Sequence, residues 1–244
     1  MHAGLIAFKF PGVPQVGCLF STRGYGSVSL SCCDDRQAAL ARRVRLCAEA
    51  GVKNFAEVRQ VHGVRTLFDP LPQDPALEPE EEADGLATAA AGLALMIKTA
   101  DCQPILIAHE SGRHILALHS GWRGNRQDYP FEAVCEFCLH YGIRPQELWA
   151  VRGPSLGPAA AEFIHFKDEW GDFFRPWYNE KARSRDLWSL TRSQLARAGL
   201  LRERILGLDI CTFETHEAFF SYRHARKCGS ADGRQASLIW IAQK

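Results

Sequence analysis

The sequence has no long apolar run, no excess of either charge, no internal repeat and no low-complexity tract. Each absence removes a class of protein. Nothing in the 244 residues approaches the ~18 consecutive apolar positions of a membrane-spanning helix; the longest apolar stretch, around Ala89 to Ile97, contains Gly92 and ends at Lys98. No membrane partner is therefore expected. The first ten residues lack a basic n-region, a long apolar h-region and a small-residue cleavage site, so the expected location is cytoplasmic. Lys plus Arg total 29 against 28 for Asp plus Glu, a net charge of +1 with no basic tail. That balance argues against a nucleic-acid partner. Signatures for cytidine deaminases, serine esterases, P-loop nucleotide sites and dinucleotide sites are all missing. A disulfide framework is also excluded as a reading: the nine cysteines are odd in number and irregularly spaced in a long chain. Most are expected to be free thiols that act as small core hydrophobes.

What is present is an ordinary globular composition, 46% hydrophobic and 23% charged, in a chain long enough to bury a full core. Strands are expected at Gly4 to Phe10 and Val16 to Thr22, and a helix at Arg36 to Ala50, started by Asp34-Asp35 and stopped by Gly51. Short strands follow at Phe55 to Val61 and Val64 to Phe68, then a Pro- and Glu-rich surface loop, Asp69 to Glu82. The centre of the chain is dense in strands: Leu93 to Lys98, Ile105 to His109 and His114 to His119, the last two a hairpin around Gly112. These runs are continuously apolar rather than alternating, which implies sheets covered on both faces. Helices are expected over Phe131 to Leu139 with Gly142 as stop, Asp168 to Phe174 and Asp186 to Ala198, with further strands at Leu148 to Val151, Ile205 to Ile210 and Ala236 to Ile241. Helices and strands interleave without a strict βαβ rhythm. The expected fold class is α+β, a single domain over 1–244 of layered mixed β-sheets flanked by helices.

Three clusters carry side chains capable of chemistry beside turn residues: Gln60-Val61-His62-Gly63, Thr99 to Pro104 around Asp101-Cys102, and His119-Ser120-Gly121-Trp122-Arg123-Gly124. Each lies at the end of an apolar strand, where loops point side chains at ligands. Two imidazoles and one thiolate suit Zn²⁺, and three protein ligands leave a fourth position open, as in catalytic zinc sites. Singly, however, a histidine beside a glycine is more often a turn residue, and a cysteine beside a strand is more often core. The spacings, 40 residues from His62 to Cys102 and 17 from Cys102 to His119, match no local zinc motif. Cys135-Glu136-Phe137-Cys138 is a CxxC, but it falls on a helical pattern with no second pair nearby, which favours helix packing.

Taken together, QVHG (Gln60 to Gly63), ADGL (Ala83 to Leu86), TADCQP (Thr99 to Pro104) and HSGWRG (His119 to Gly124) resemble the YfiH-like family. Its members are variously labelled laccase-domain proteins, multicopper polyphenol oxidases, peptidoglycan editing factors and zinc-dependent purine nucleoside phosphorylases. Weaker matches at Ser21 to Gly24, Gly153 to Pro158, Phe219 to Arg223 and Gly233 to Trp240 extend the resemblance from about Phe20 to the C-terminus. It implies that His62, Cys102 and His119 are the metal ligands. It implies zinc-dependent chemistry on small purine nucleosides: phosphorolysis of adenosine, inosine, guanosine or methylthioadenosine, and deamination of adenosine. Three departures bear on substrate preference: Ala159-Ala160-Ala161 where many members have cysteines, Thr191 at a usual asparagine, and a longer segment His224 to Asp232 carrying Lys227 and Cys228.

On this reading Asp101 shuttles a proton to the leaving amine in deamination, or orients a ligand histidine from behind. Arg23 and Arg123 hold phosphate in phosphorolysis, each adjoining a glycine in a motif loop, and Gln60 contacts substrate. Two other chemistries fit the same residues. One is copper-dependent oxidation of phenols, although a multicopper centre needs far more histidines than a chain with nine in all, none in an HxH pair, supplies. The other is a metal-free cysteine hydrolase, with Cys102 as nucleophile and His119 as base, to which removal of a wrongly added amino acid from a cell-wall precursor would belong. A non-enzymatic binding module would turn over no nucleoside.

Overall fold

The computed structural model describes residues 4–32, 35–163 and 170–243. In chain order its strands and helices are β1 (Leu5–Phe8), β2 (Val16–Ser21), α1 (Arg36–Ala50), β3 (Asn54–Ala56), β4 (Thr66–Phe68), β5 (Gly85–Thr88), β6 (Leu93–Thr99), β7 (Gln103–His109), β8 (Ile115–Ser120), α2 (Trp122–Arg126), α3 (Tyr129–Tyr141), β9 (Leu148–Arg152), β10 (Tyr178–Asn179), β11 (Ser184–Arg185), α4 (Leu187–Arg197), β12 (Ile205–Gly207), α5 (Tyr222–Cys228) and β13 (Gln235–Ile241).

Two mixed sheets are built from these strands. One runs β1-β2-β13-β6-β3, the other β12-β9-β7-β8-β5-β4, and β10 pairs only with β11. In each large sheet the antiparallel centre has a parallel strand at an edge: β3 beside β6, β12 beside β9, β4 beside β5. The continuous apolar runs now have their explanation. Leu95 and Ile97 of β6, Ile239 of β13 and Phe20 of β2 meet Leu106, Ala108, Ala117 and Val151 of the second sheet in one buried cluster. The alternate residues turn outward. Ala94, Met96 and Leu238 pack under Leu46 and Cys47 of α1. Ile105, Ile107, Leu116 and Leu118 pack under Val134 and Phe137 of α3 and Leu195 of α4. The order of layers is helix, sheet, sheet, helix, so both faces of each sheet are covered, as the unalternating strands required.

The ends of α1 obey ordinary capping. The Asp35 carboxylate accepts from Ala38 N at 3.0 Å, and Gly51 takes the left-handed conformation (φ 68°) that terminates the helix; Asp34 lies outside the described residues. Several expected elements shift. The strand expected at Phe55 to Val61 stops at Ala56, because Glu57 turns inward to an ion pair with buried Arg43. The helix expected from Asp168 falls partly outside the described residues, and Asp172–Trp177 is a 3-10 turn containing Pro176. β5 and the short helices α2 and α5 were not expected.

β5 starts against a tight wall. A Cβ at Gly85 would lie 2.3 Å from the Tyr129 hydroxyl, 2.8 Å from Leu118 Cδ2 and 3.0 Å from Thr66 Oγ1. Gly85→Ala is expected to cost about 1–3 kcal/mol through overpacking, lowering the thermal midpoint by several degrees. Differential scanning calorimetry that finds an unchanged midpoint would contradict this packing.

Candidate metal centre

Four strand ends converge on one place. The turn after β3 delivers His62, the start of β5 delivers Asp84, the β6–β7 loop delivers Cys102, and β8 ends on His119 and Ser120. The ligand atoms of His62, Cys102 and His119 all lie within 4.8 Å of one another. Cys102 Sγ is 3.7 Å from His62 Nε2, and the two imidazoles meet edge to face at 4.8 Å between centroids. A tetrahedral zinc with bonds of about 2.05 Å to nitrogen and 2.3 Å to sulfur would place those two donors about 3.6 Å apart. The Cys102–His62 pair is spaced for one such ion, and the His119 donor lies within 4.8 Å of both.

The carboxylate of Asp84 assembles the group. It is fully buried. Oδ1 accepts from His119 Nδ1 at 2.7 Å and from the His62 backbone N–H at 3.0 Å; Oδ2 accepts from Gly63 N at 2.6 Å and Val61 N at 3.3 Å. The main chain repeats the connection, since Asp84 O accepts from His119 N at 2.7 Å. With its Nδ1 donating to Asp84, His119 turns Nε2 toward Cys102. The same carboxylate holds His62 in the left-handed conformation (φ 60°), one that non-glycine residues seldom adopt unaided. Gly121, which opens α2, admits the close approach: a Cβ there would sit 2.9 Å from Cys102 Sγ and 3.0 Å from His62 Cδ2.

Charge follows geometry. Burial works against ionisation of Asp84, but the hydrogen bond and charge of His119 and the N–H groups of Gly63 and His62 outweigh it, holding the acid below the usual carboxylate range. Burial alone would raise the Cys102 thiol; the charge of His119 and hydrogen bonds from both histidines bring it down to about 6. Burial also disfavours a charged His119, yet the Cys102 thiolate and Asp84 hold it up at about 9. Each group thus favours the charged form of the other, and a bound metal would take the place of the proton between them.

The other expected residues fall in different places. Asp101 lines the cavity beside the ligands, but both of its oxygens are occupied: Oδ1 accepts from Thr212 Oγ1 and Oδ2 from Arg223 N, each at 2.7 Å. It sits at φ 87° and so fixes the bend that presents Cys102, while the bond to a ligand histidine belongs to Asp84. The Gln60 amide is engaged by the Lys98 main chain, accepting from its N at 2.9 Å and donating to its O at 2.8 Å. That ties the turn bearing His62 to β6. Arg123 is exposed at the cavity wall and lies over its own Trp122 ring at 4.4 Å. Arg23 is not among the lining residues; its guanidinium reaches the carbonyls of Phe219 and Ala231 and lies 4.6 Å over the Phe220 ring. Thr191 belongs to a buried network beneath α2. Gln103 Nε2 donates to Asn125 Oδ1, and Asn125 Nδ2 donates to Thr191 Oγ1 and Gln194 Oε1. Cys135 and Cys138 lie on α3, Cys135 exposed rather than packed.

The centre forms part of the wall of a cavity of about 760 Å³, within the usual range for small-molecule sites. Trp122, Phe163, Leu156 and Leu187 give it an apolar side, and five arginines are among its other lining residues. Asp84, which hydrogen-bonds His119 and the turn bearing His62, is the residue of this site that sequence reasoning left without a role. Its signal was the ADGL motif, which matched the family but contains no metal-preferring side chain beyond one carboxylate.

Over residues 18–242 the chain matches the family model described as multi-copper polyphenol oxidoreductase laccase. A purine nucleoside phosphorylase of Xylella fastidiosa (strain Temecula1) is 37% identical over 214 residues, covering 82% of this chain and 77% of that protein. The purine nucleoside phosphorylase YfiH of Escherichia coli (strain K12) is 30% identical over 255 residues, covering 97% and 98%. The crystal structure of YlmD from Geobacillus stearothermophilus superposes with a TM-score of 0.86 at 23% identity, over 100% of this chain and 98% of that one, a likeness of fold.

All four hydrogen-bond partners of the Asp84 carboxylate are N–H donors. Asp84→Asn would turn an amide NH₂ toward at least one of them. The expected result is a loss of metal affinity of about 10–100-fold in a folded protein, measured by competition with a chromophoric chelator. Wild-type affinity in this variant would contradict the role given to Asp84.

Proposed function

The chain belongs to the multi-copper polyphenol oxidoreductase laccase family, in which relatives 30–37% identical bear the name purine nucleoside phosphorylase, and from that premise we propose that it is a zinc-dependent purine nucleoside phosphorylase that also cleaves methylthioadenosine and deaminates adenosine. The observation that carries this reading is the donor set of two imidazoles and a thiolate, grouped within 4.8 Å on the wall of a cavity with one aromatic and one cationic side. A borderline-soft N₂S set suits zinc. Among the described residues this is the one group of three or more potential ligands, which suits a single metal better than the several of a multicopper oxidase.

Zinc bound there would supply a Lewis acid beside the leaving group. The rest belongs to the chain. Trp122 and Phe163, 5.9 Å apart at their ring centroids, offer the purine an aromatic wall. Arg123 holds phosphate by paired N–H donors. In phosphorolysis the C1′–N9 bond breaks as a phosphate oxygen bonds to C1′, and the departing base takes up a proton; a cationic wall stabilises the negative charge arriving with phosphate. Asp101 positions rather than transfers: through Thr212 and the Arg223 N–H it fixes the loop that sets Cys102. Asp84 keeps His119 in the tautomer whose Nε2 faces the centre.

Purified protein is expected to contain about one zinc per chain and to convert adenosine and phosphate to adenine and ribose 1-phosphate. That activity is lost on chelation and restored by zinc. Cys102→Ser should lose most metal and nearly all turnover while staying folded, since a serine hydroxyl does not ionise at neutral pH. Cys138→Ser, on α3, should keep both and lose at most roughly 1–3 kcal/mol of stability. A zinc-loaded preparation that turns over no purine nucleoside yet hydrolyses an aminoacyl-muramyl nucleotide would overturn the assignment.

A further inference from the structure

The cavity is far more cationic than the protein that contains it. The chain as a whole has 29 basic and 28 acidic residues, yet seven Lys or Arg side chains line the cavity against two carboxylates, Glu78 and Asp101. Four of the seven have acidic partners: Arg59 pairs with Glu82, Lys98 with Glu57, Lys227 with Glu162 and Arg234 with Asp232. Both Asp101 oxygens are already hydrogen-bonded, and Glu78 lies 3.7 Å from Lys98. That leaves Arg123, Arg223 and Arg226, none of which has a carboxylate within ion-pair distance among the described residues. The Arg223 guanidinium is anchored to neutral acceptors, the carbonyls of Ala160 and Glu162, at 2.9 and 3.0 Å. Its position is therefore fixed while its charge stays available.

These three guanidiniums fall into two groups. Arg123 belongs to α2, directly after the His119 motif. Arg223 and Arg226 stand three residues apart on α5, on one face of the helix, and both face the cavity. α5 is locked to the metal-centre loop by the hydrogen bond from Arg223 N to Asp101 and capped by the Ser221 hydroxyl, which accepts from His224 N. A free phosphate ion beside the reacting carbon is served by Arg123. A pair of further guanidiniums on a separate element matches a second negative group.

We propose that Arg223 and Arg226 form a subsite for a phosphate carried by the substrate, so that the cavity takes nucleoside 5′-phosphates in preference to nucleosides. This rests on the reading of the cavity as a purine nucleoside site. Guanidinium and phosphate match in charge and in planar, two-point geometry. The aromatic side then holds the base, the metal centre and Arg123 address the glycosidic bond, and α5 holds the far end of the sugar. Phosphorolysis of adenosine 5′-phosphate on this arrangement yields adenine and ribose 1,5-bisphosphate, with the same bonds broken and formed as for adenosine.

Calorimetric titration of the purified full chain with adenosine, with adenosine plus saturating inorganic phosphate, and with adenosine 5′-phosphate tests this. The expected result is that adenosine 5′-phosphate binds about tenfold or more tightly than adenosine, the scale of one charge-assisted contact. The advantage should persist with inorganic phosphate present and shrink between about 50 mM and about 0.5 M salt as charges are screened. Arg226→Ala should remove most of it, and Arg226→Lys should keep part. Equal affinity for the two ligands, with adenosine still turned over, would overturn the subsite and leave the proposed function standing; the arginines would then serve inorganic phosphate only. An advantage undiminished in an Arg223→Ala, Arg226→Ala double variant would overturn it as well. Binding of neither ligand would overturn the subsite and the proposed function together.

Discussion

One buried carboxylate holds the candidate metal centre together. Asp84 is fully enclosed, and an enclosed carboxylate is costly unless its lone pairs are met. Here four N–H groups meet them, three from consecutive residues of the turn that carries His62 and one from the ring of His119. The requirement to satisfy that charge and the placement of two potential metal donors, His62 and His119, are thus the same physical fact. A turn that moved away would strand the carboxylate, so the geometry of His62 is enforced by the penalty for disorder. Cys102, the third potential donor, is placed by a second carboxylate that is only partly buried. Asp101 is held by Thr212 and the N–H of Arg223, and the left-handed bend it adopts presents Cys102.

The two-sheet core supplies the rigidity that these contacts assume. β5, β7 and β8 are hydrogen-bonded neighbours in one sheet, with Gly85 opposite Leu118 and Gln103 opposite Ser120. Register therefore brings Asp84, Cys102 and His119 to the same edge, one residue or less beyond the paired positions. β6, in the other sheet, holds the turn bearing His62 through the Gln60 amide. The centre runs from buried His119 out to exposed His62. The buried side-chain network of Gln103, Asn125, Thr191 and Gln194 fixes α2 beside it, and with α2 the aromatic and cationic side chains of the cavity.

Much of this was legible in the sequence, and the gaps have physical causes. α1 runs between the expected residues because its capping chemistry is local, an aspartate before it and a left-handed glycine after it. The central strands were recognisable because burial on both faces leaves an unbroken apolar run. β5 was not: it is four residues long and opens on Gly85, whose lack of a side chain leaves room for the Tyr129 hydroxyl, a constraint from a distant helix. The short helices α2 and α5 are likewise set by tertiary contacts rather than by a periodic face. His62, Cys102 and His119 come together in space, yet their separation along the chain matches no local motif, so it was the family resemblance that singled them out. Arg23, marked by its glycine neighbour, instead supports the segment around Phe220. Whether an arginine faces a cavity depends on packing that no neighbouring residue type reports.

The donor set makes one central demand: His62, Cys102 and His119 hold a single metal between them as an N₂S centre. X-ray absorption at the metal edge of the purified protein addresses that directly. A zinc edge is expected, with one sulfur at about 2.3 Å and two imidazole nitrogens at about 2.0–2.1 Å in the first shell, and with the sulfur absent from that shell in the Cys102→Ser protein. A copper edge, a first shell without sulfur, or one with two sulfurs would contradict it.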